Sequence, residues 1–182
     1  MFGEADKDGN PHTNFSWSQR EQSIVDYASN NLALVVKAAG NDGVAIDGIN
    51  KSGKFDYLNI DLIGTRSAIF VGALNSHGSV DNQASLADYS NYAGENSVAQ
   101  EQFIVVGVTG NITGLYGTSF AAPIVSGYAA VLGSKFTAAS PENIKNRLLQ
   151  TARTDTITGY DKTIHGKGEA SLSRALAPDS IN

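Results

Sequence analysis

Three short and nearly continuous apolar runs constrain the fold of this chain more than any other feature. They cover residues 32–39, 68–74 and 103–108. Runs of this kind suit strands that are buried on both faces, as in a parallel sheet, because a half-exposed strand alternates apolar and polar residues. Helical patterns lie between and after the runs, so the sequence predicts an α/β layered domain.

The helices have recognisable starts and ends. Ser18 and Glu21 have the spacing of a capping box, and the apolar residues that follow them recur at helical intervals as far as residues 30–31 (Asn-Asn). The Ser-Pro-Glu segment at 140–142 has the composition of a second helix start. Between them, a helix rich in small residues is predicted to run from the segment at 117–123 to about Phe136.

The remaining segments are predicted to be connections within one domain that spans residues 1–182. Residues 1–15 are polar and rich in turn formers, and they predict an exposed loop. Residues 43–66 are rich in glycine without a clear period, and they predict a long loop or insertion. A short last helix is expected to end near Ala177, before a proline.

Composition excludes several classes of protein. Apolar residues make up 41% of the 182 residues, which is typical of a folded domain with a core. The net charge is −5 and no Lys/Arg cluster is present, so a nucleic-acid or anionic-membrane surface is disfavoured. The sequence contains no run of 18 apolar residues, so it predicts no membrane-spanning helix. It also contains no cysteine, which excludes disulfides and thiolate chemistry.

The segment 117–127 (Gly-Thr-Ser-Phe-Ala-Ala-Pro-Ile-Val-Ser-Gly) places a serine, Ser119, at the start of a helix. Pro123 is tolerated only near a helix start, so it places the boundary close to Ser119. The N–H groups at that end lack partners within the helix, and the helix dipole is positive there. Negative charge that forms at Ser119 would therefore be stabilised locally.

Asn41 is the second candidate residue. It follows the first apolar run, and ligands of open α/β sheets bind beyond the carboxyl ends of the strands. Its side-chain amide can donate a hydrogen bond to developing negative charge, and Gly40 and Gly43 allow the chain to turn sharply around it. Taken alone, Asn41 could equally be a turn residue, and Ser119 a plain helix cap.

Together, the two segments resemble motifs of the subtilisin-like serine proteases, the subtilases. Residues 117–127 resemble the nucleophile motif, and residues 38–43 (Ala-Ala-Gly-Asn-Asp-Gly) resemble the motif of the oxyanion asparagine. The resemblance covers roughly residues 16–177 and implies a three-layer fold, with a parallel sheet between helices. It implies that Ser119 is the nucleophile and that Asn41 and the Ser119 N–H bind the oxyanion.

The same resemblance implies a substrate site and a cellular location. Ala38, Ala39 and Gly40 would form one wall of the primary specificity pocket, with Gly117 and Thr118 as further substrate-binding residues. The substrate would be a protein or peptide, and no cofactor is expected, although acidic residues within 42–61 leave a structural calcium ion open but unassigned. Members of the family are mostly secreted or displayed at the cell surface, so either location is expected.

The histidine and aspartate motifs of the family do not occur in this sequence. His12, His77 and His165 have no motif context and lie in polar stretches, so each is interpreted as an ordinary surface or hydrogen-bonded histidine. We therefore expect the chain to be the C-terminal part of a larger subtilase domain that lacks the N-terminal part of the fold. We expect it to be inactive alone and able to self-associate through an exposed sheet edge.

Two alternative functions remain open. The chain could be a subtilase-like structural or binding module without catalytic activity, in which case the triad residues would be absent from the whole protein. It could also belong to another class of serine hydrolase. The second alternative is weaker, because Ala121 stands where the Gly-x-Ser-x-Gly elbow requires its second glycine.

Overall fold

A computed structural model of the chain describes residues 2–12 and 18–181. The strands are β1 (Phe2–Glu4), β2 (Val35–Ala38), β3 (Lys54–Asp56), β4 (Ala68–Leu74) and β5 (Phe103–Gly107). The helices are α1 (Gln19–Ser29), α2 (Tyr57–Leu62), α3 (Ser97–Glu101), α4 (Gly110–Thr113), α5 (Thr118–Lys135), α6 (Pro141–Gln150), α7 (Lys162–His165) and α8 (Leu172–Leu176). This arrangement confirms the predicted α/β class.

The three predicted strands form one parallel sheet with the order β2-β4-β5. The first of them, β2, was predicted to be buried on both faces, but it is half-buried because it lies at the edge of the sheet among the described residues. Val36 pairs with Ile69 in one ladder, and Val71 pairs with Ile104 in the other. Every residue of β4 and β5 is buried, as expected of strands that are covered on both faces. Because the strands are parallel, their carboxyl ends share one edge of the sheet, and the turn that follows β2 begins at that edge.

Alternate residues of β4 contribute to two separate cores. Ile69 and Val71 belong to the core that contains residues of α5, α6 and α8. Phe70 belongs to the other core, together with Ala28 of α1 and Leu62 of α2. Since neighbouring residues of a strand point to opposite faces of a sheet, helices cover both faces of this sheet and the domain has three layers.

The helix α5 packs against β2, β4 and β5. Ala121 and Val125 are fully buried where the helix meets the sheet, and the small alanine side chain allows a close approach. The helix ends at Lys135, one residue before the predicted Phe136. Its N-terminus lies at the edge of the sheet where β2 ends, because Thr118 is hydrogen-bonded to Asn41.

The predicted helix caps are confirmed. Ser18 and Glu21 form a reciprocal capping box at the start of α1. Ser140 caps α6, where Asn143 is its reciprocal partner and Pro141 occupies the first turn. Within residues 2–12 and 18–181, no helix combines the length and apolar character needed to cross a bilayer.

Both predicted loops need correction. In the segment predicted as loop 1–15, residues 2–4 form β1, which pairs antiparallel with β3; residues 1 and 13–15 of that prediction lie outside the described part. In the segment 43–66, β3 leads directly into α2, and Asp56 caps the helix through the Leu58 N–H at 3.2 Å. Phe55 and Tyr57 are buried there, but elements of three and six residues are too short to show a recognisable period.

Candidate active site

The turn after β2 presents Asn41 at the carboxyl edge of the sheet. Gly40 and Gly43 have φ values of 114° and 67°. This left-handed region is readily reached only by glycine, which explains the glycines on both sides of the Asn-Asp pair. The side chain of Asn41 is exposed.

The candidate nucleophile lies in the first turn of α5. Gly117, with a φ of 119°, precedes the helix, and Thr118 and Ser119 are its first two residues. Thr118 is fully buried, whereas Ser119 is exposed. Within the described part of the chain, the Ser119 N–H donates no hydrogen bond, as is usual for the first turn of a helix. It is therefore a free donor at the positive end of the helix dipole.

Thr118 joins the two segments through three hydrogen bonds. Its main-chain N–H donates to Asn41 Oδ1 at 2.8 Å, and its hydroxyl donates to the same oxygen at 3.0 Å. The hydroxyl oxygen in turn accepts the Gly40 N–H at 3.1 Å. Residues 77 positions apart in the sequence are thus held in direct contact.

This network determines which way the Asn41 carboxamide points. A main-chain N–H can only donate, so the atom facing Thr118 must be the oxygen of the carboxamide. The Nδ2 group therefore points away from Thr118, and within the described residues it donates to no protein acceptor. The Asn41 amide and the Ser119 N–H are thus two available donors on adjoining segments, and donors of this kind bind an oxyanion when they point to one position.

Comparison with known proteins identifies the family. The Subtilase family model matches residues 2–171. The chain belongs to the subtilase family. This result confirms the family resemblance found in the sequence.

Individual relatives agree with this assignment. Subtilisin DY of Bacillus licheniformis is 32% identical over 164 residues, which are 88% of this chain and 53% of that protein. The structure of the patellamide maturation protease PatA has a TM-score of 0.59 at 25% identity, over 91% of this chain and 58% of that one. A protease structure from Pseudoalteromonas arctica has a TM-score of 0.59 at 23% identity, over 97% of this chain and 49% of that one, and shows the fold alone. This subtilase chain spans about half the length of the relatives it matches.

The residues predicted to bind substrate occupy different environments in this subtilase. Ala38 and Gly40 are half-buried, whereas Ala39 is fully buried. Gly117 and Thr118 are buried too, and the hydrogen-bonding groups of Thr118 are engaged with Gly40 and Asn41. The observed geometry gives Thr118 the task of holding Asn41, and direct contact between these five residues and a substrate stays a prediction.

Two asparagines that sequence reasoning missed support the Ala39 carbonyl. Asn59 is 1% exposed, and its Nδ2 donates to the carbonyl oxygens of Ala39 at 3.4 Å and Ile46 at 3.1 Å. Asn91 Nδ2 donates to the same Ala39 oxygen at 3.1 Å. Asn59 lies in α2, within a segment predicted to be a loop, and Asn91 lies in a polar connection where asparagine normally indicates a turn, so no local signal distinguishes them.

A cavity of about 430 Å³ adjoins the segment that leads to Ser119. The ring of Tyr116 forms one side of it and packs against the Cα of Gly110. The cavity is lined by residues from the ends of β4 and β5 and from the loop after β4: Asn75, Ser85, Leu86, Ala87, Asp88, Tyr89, Val108, Gly110 and Tyr116. A concave surface next to a candidate nucleophile can accommodate part of a bound peptide.

The three histidines do not contact Ser119 through any hydrogen bond within the described residues. His12 and His77 are exposed, as predicted. His165 is the hydrogen-bonded type of the two predicted, but it lies in α7 and not in a loop, is 4% exposed and stacks on Tyr160 with ring centroids 5.9 Å apart. Burial lowers its pKa, while its Nδ1 contacts the main chain of Asp161.

Among residues 2–12 and 18–181, no group of three or more His, Cys, Asp or Glu side chains is arranged to hold a metal ion. Asp56, one of the acids in the segment 42–61, forms an ion pair with Lys37 at 3.0 Å. Its carboxylate is therefore engaged in joining β3 to β2.

Proposed function

We propose that this chain supplies the nucleophile and the oxyanion-binding groups of a subtilisin-type serine endopeptidase. Ser119 Oγ attacks the carbonyl carbon of a peptide bond, and the resulting oxyanion accepts hydrogen bonds from Asn41 Nδ2 and the Ser119 N–H. The observation that carries this proposal is the pair of hydrogen bonds from Thr118 to Asn41 Oδ1, since they turn the Asn41 amide away from Thr118.

The proposed reaction has two stages. In the first stage, the bond between Ser119 Oγ and the carbonyl carbon forms, the peptide C–N bond breaks, and the leaving amine takes up a proton. In the second stage, water attacks the acyl-enzyme and releases the carboxylic acid and the serine hydroxyl. Both stages need a general base that takes the proton from Ser119 or from water.

We place that base and its orienting carboxylate in the part of a subtilase domain that this chain does not cover. Two facts support this placement: the histidine and aspartate motifs do not occur among these 182 residues, and the chain spans 53% of the length of subtilisin DY. In subtilisin itself, removing the catalytic serine or histidine lowers kcat by about 10⁶-fold. The isolated chain is therefore expected to be inactive toward peptides.

Acylation of Ser119 tests the proposal on the chain itself. The purified chain is incubated with an activated ester, p-nitrophenyl acetate, with imidazole as an external base, and the modified residues are located by mass spectrometry. Ser119 should be acylated selectively, and Asn41→Ala should slow this by about 100-fold, the usual effect of losing one oxyanion donor. Ser119→Ala should abolish the modification at that position.

Ser126→Ala is the matched control, because Ser126 lies on the same helix and its hydroxyl donates to the Ala122 carbonyl at 3.0 Å. This variant should be acylated at Ser119 at the rate of the parent chain. An equal rate of Ser119 acylation with and without the Asn41 amide would refute the assigned roles. Peptide hydrolysis by the pure chain that is lost in Ser119→Ala would refute the proposed dependence on a base from elsewhere.

We also propose that the surface next to β2 associates with other polypeptide. Within the described residues, β2 is an edge strand of the parallel sheet. On α5, Phe120 and Val131 are 39% and 44% exposed, and exposed strand edges and apolar faces tend to recruit partners. Sedimentation velocity across a concentration series should show self-association, and a monomer at every concentration would contradict this expectation.

The alternative of a non-catalytic subtilase-like module is tested by the same acylation experiment. In a module of this kind the Asn41 amide would not stabilise an oxyanion at Ser119, so Ser119 would react no faster than Ser126.

For the whole protein, the family points to secretion or display at the cell surface. Fractionation of the producing cells with an antibody against this chain would test that location.

A further inference from the structure

The turn that carries Asn41 is held mainly by one distant residue, Asn91. This asparagine is 6% exposed and lies in the connection between β4 and α3. Its Oδ1 accepts the main-chain N–H groups of Asp42 at 2.9 Å and Val44 at 3.2 Å. Its Nδ2 donates to the Ala39 carbonyl at 3.1 Å, and its own N–H donates to the Gly40 carbonyl at 2.9 Å.

These four hydrogen bonds surround Asn41 without touching its side chain. They fix the main chain of residues 39, 40, 42 and 44, which are the positions around Asn41. Because a buried main-chain N–H or carbonyl without a partner costs free energy, each bond favours this conformation of the turn. The orientation of the Asn41 side chain therefore depends on Asn91 only through the main chain.

The packing around Gly40 shows how closely Asn91 fits the turn. A Cβ atom added to Gly40 would lie 2.4 Å from Asn91 Nδ2. The side chain of Asn91 thus occupies the space that any larger residue at position 40 would need. The carboxamide of asparagine combines an oxygen that accepts two hydrogen bonds with an amide group that donates. Aspartate lacks the donor, and leucine lacks both.

Asn91 is itself anchored to the central sheet. The preceding residue, Ser90, is buried, and its Oγ accepts the Ala73 N–H of β4 at 3.0 Å. The same hydroxyl donates to the Asn91 carbonyl at 2.8 Å. A continuous series of hydrogen bonds therefore connects β4 to Asn91, Asn91 to the turn, and Asn41 of the turn to Thr118 at the start of α5.

We propose that Asn91 is a positioning residue that holds the turn so that Asn41 Oδ1 faces Thr118 at the start of α5, and that it makes no contact with substrate. Its consequence for catalysis rests on the proposed function, but the positioning can be measured without any reaction. The reporter is the main-chain N–H of Thr118. As the first N–H of α5, it has no acceptor within the helix, so its protection from exchange depends on Asn41 Oδ1.

Amide hydrogen exchange of the chain, followed residue by residue by NMR, tests the proposal. Asn91→Ala should increase the exchange rate of the Thr118 N–H about tenfold, as expected for one weakened hydrogen bond. The N–H of Leu132, a fully buried residue in the last turn of α5, serves as the reference for global stability. Asn41→Ala should also expose Thr118, and adding Asn91→Ala to it should produce no further increase.

Two further variants keep the test decisive. Asn96→Ala removes a half-buried asparagine that also accepts two main-chain N–H groups, because Asn96 Oδ1 accepts the Val98 and Ala99 N–H groups at the start of α3. It should leave Thr118 unchanged relative to Leu132. If Asn91→Ala does not fold, Asn91→Asp retains the acceptor for Asp42 and Val44 but loses the donor to Ala39, and it should give a smaller increase at Thr118.

An unchanged exchange rate of the Thr118 N–H in Asn91→Ala would overturn the positioning role, since the turn would then hold Asn41 without Asn91. If only Asn91→Asp folds, an unchanged Thr118 rate in that variant would overturn it in the same way. A further increase in the double variant would also overturn it, because Asn91 would then act on α5 without Asn41. If Thr118 responds as expected but Ser119 fails to react in the acylation assay, the positioning role stands and the proposed function fails. If Ser119 reacts as expected but the exchange rate of Thr118 does not change, the proposed function stands and the positioning role fails.

Discussion

Replacing Thr118 by valine tests the connection between the two halves of the candidate site. The change removes a hydroxyl that donates to Asn41 Oδ1 at 3.0 Å and accepts the Gly40 N–H at 3.1 Å. Valine has nearly the same shape as threonine, so no cavity forms at this fully buried position. The predicted effect therefore comes from the lost hydrogen bonds alone.

The magnitude follows from which groups lose their partners. Asn41 Oδ1 keeps the Thr118 N–H at 2.8 Å, so this oxygen remains satisfied. The Gly40 N–H loses its acceptor in a half-buried position, and an unsatisfied donor of this kind costs about 1–3 kcal/mol. We expect the free energy of unfolding to fall by about 2 kcal/mol, which corresponds to about a 30-fold change in the folding equilibrium.

Urea denaturation followed by circular dichroism measures this loss, with an unchanged m-value as the sign of an unchanged unfolded state. Thr151→Val is the matched control. Its hydroxyl donates to the Arg147 carbonyl at 2.7 Å, but the same carbonyl also accepts the Thr151 N–H at 3.2 Å. The Arg147 carbonyl therefore keeps a partner, and the second contact of the hydroxyl, with the Leu148 carbonyl, is long at 3.5 Å, so the control should lose less than about 0.5 kcal/mol. Equal losses in the two variants would refute the reasoning.

Two further predictions concern the turn and the pH dependence of stability. Gly40→Ala should lower the free energy of unfolding by more than about 2 kcal/mol, because its Cβ would lie 2.4 Å from Asn91 Nδ2 at a φ of 114°. Gly53→Ala, at a φ of 75° with open space around it, should cost only about 1 kcal/mol, and urea denaturation would compare the two. Burial lowers the pKa of His165 in the folded chain. As the pH falls below about 6.5, the unfolded chain therefore binds a proton at His165 that the folded chain does not bind. The free energy of unfolding should therefore decline as the pH falls from about 7.5 to about 5.5, and His165→Gln should make this decline shallower. The same pH dependence in both proteins would show that His165 is not its cause.

Local patterns in the sequence were sufficient for the main elements of the fold. A strand covered on both faces must be apolar along its whole length, so β4 and β5 could be predicted from residues 68–74 and 103–108. The capping box of Ser18 and Glu21 joins residues three positions apart, so it too is visible in the sequence. Elements of three and six residues are too short to show a period, which is why β1 and α2 were missed.

The candidate site divides in the same way. Ser119 and Asn41 could be named from their motifs, because each motif is a local arrangement of a turn or a helix start. The contact between Asn41 and Thr118 joins residues 77 positions apart, and that between Asp42 and Asn91 joins residues 49 positions apart. Such pairs leave no periodic trace in one sequence, since they form only when the folded sheet brings separate loops to one edge. The amino-acid order alone therefore indicated which side chains carry the chemistry, and the tertiary hydrogen bonds decided how the Asn41 amide is held and which way it points.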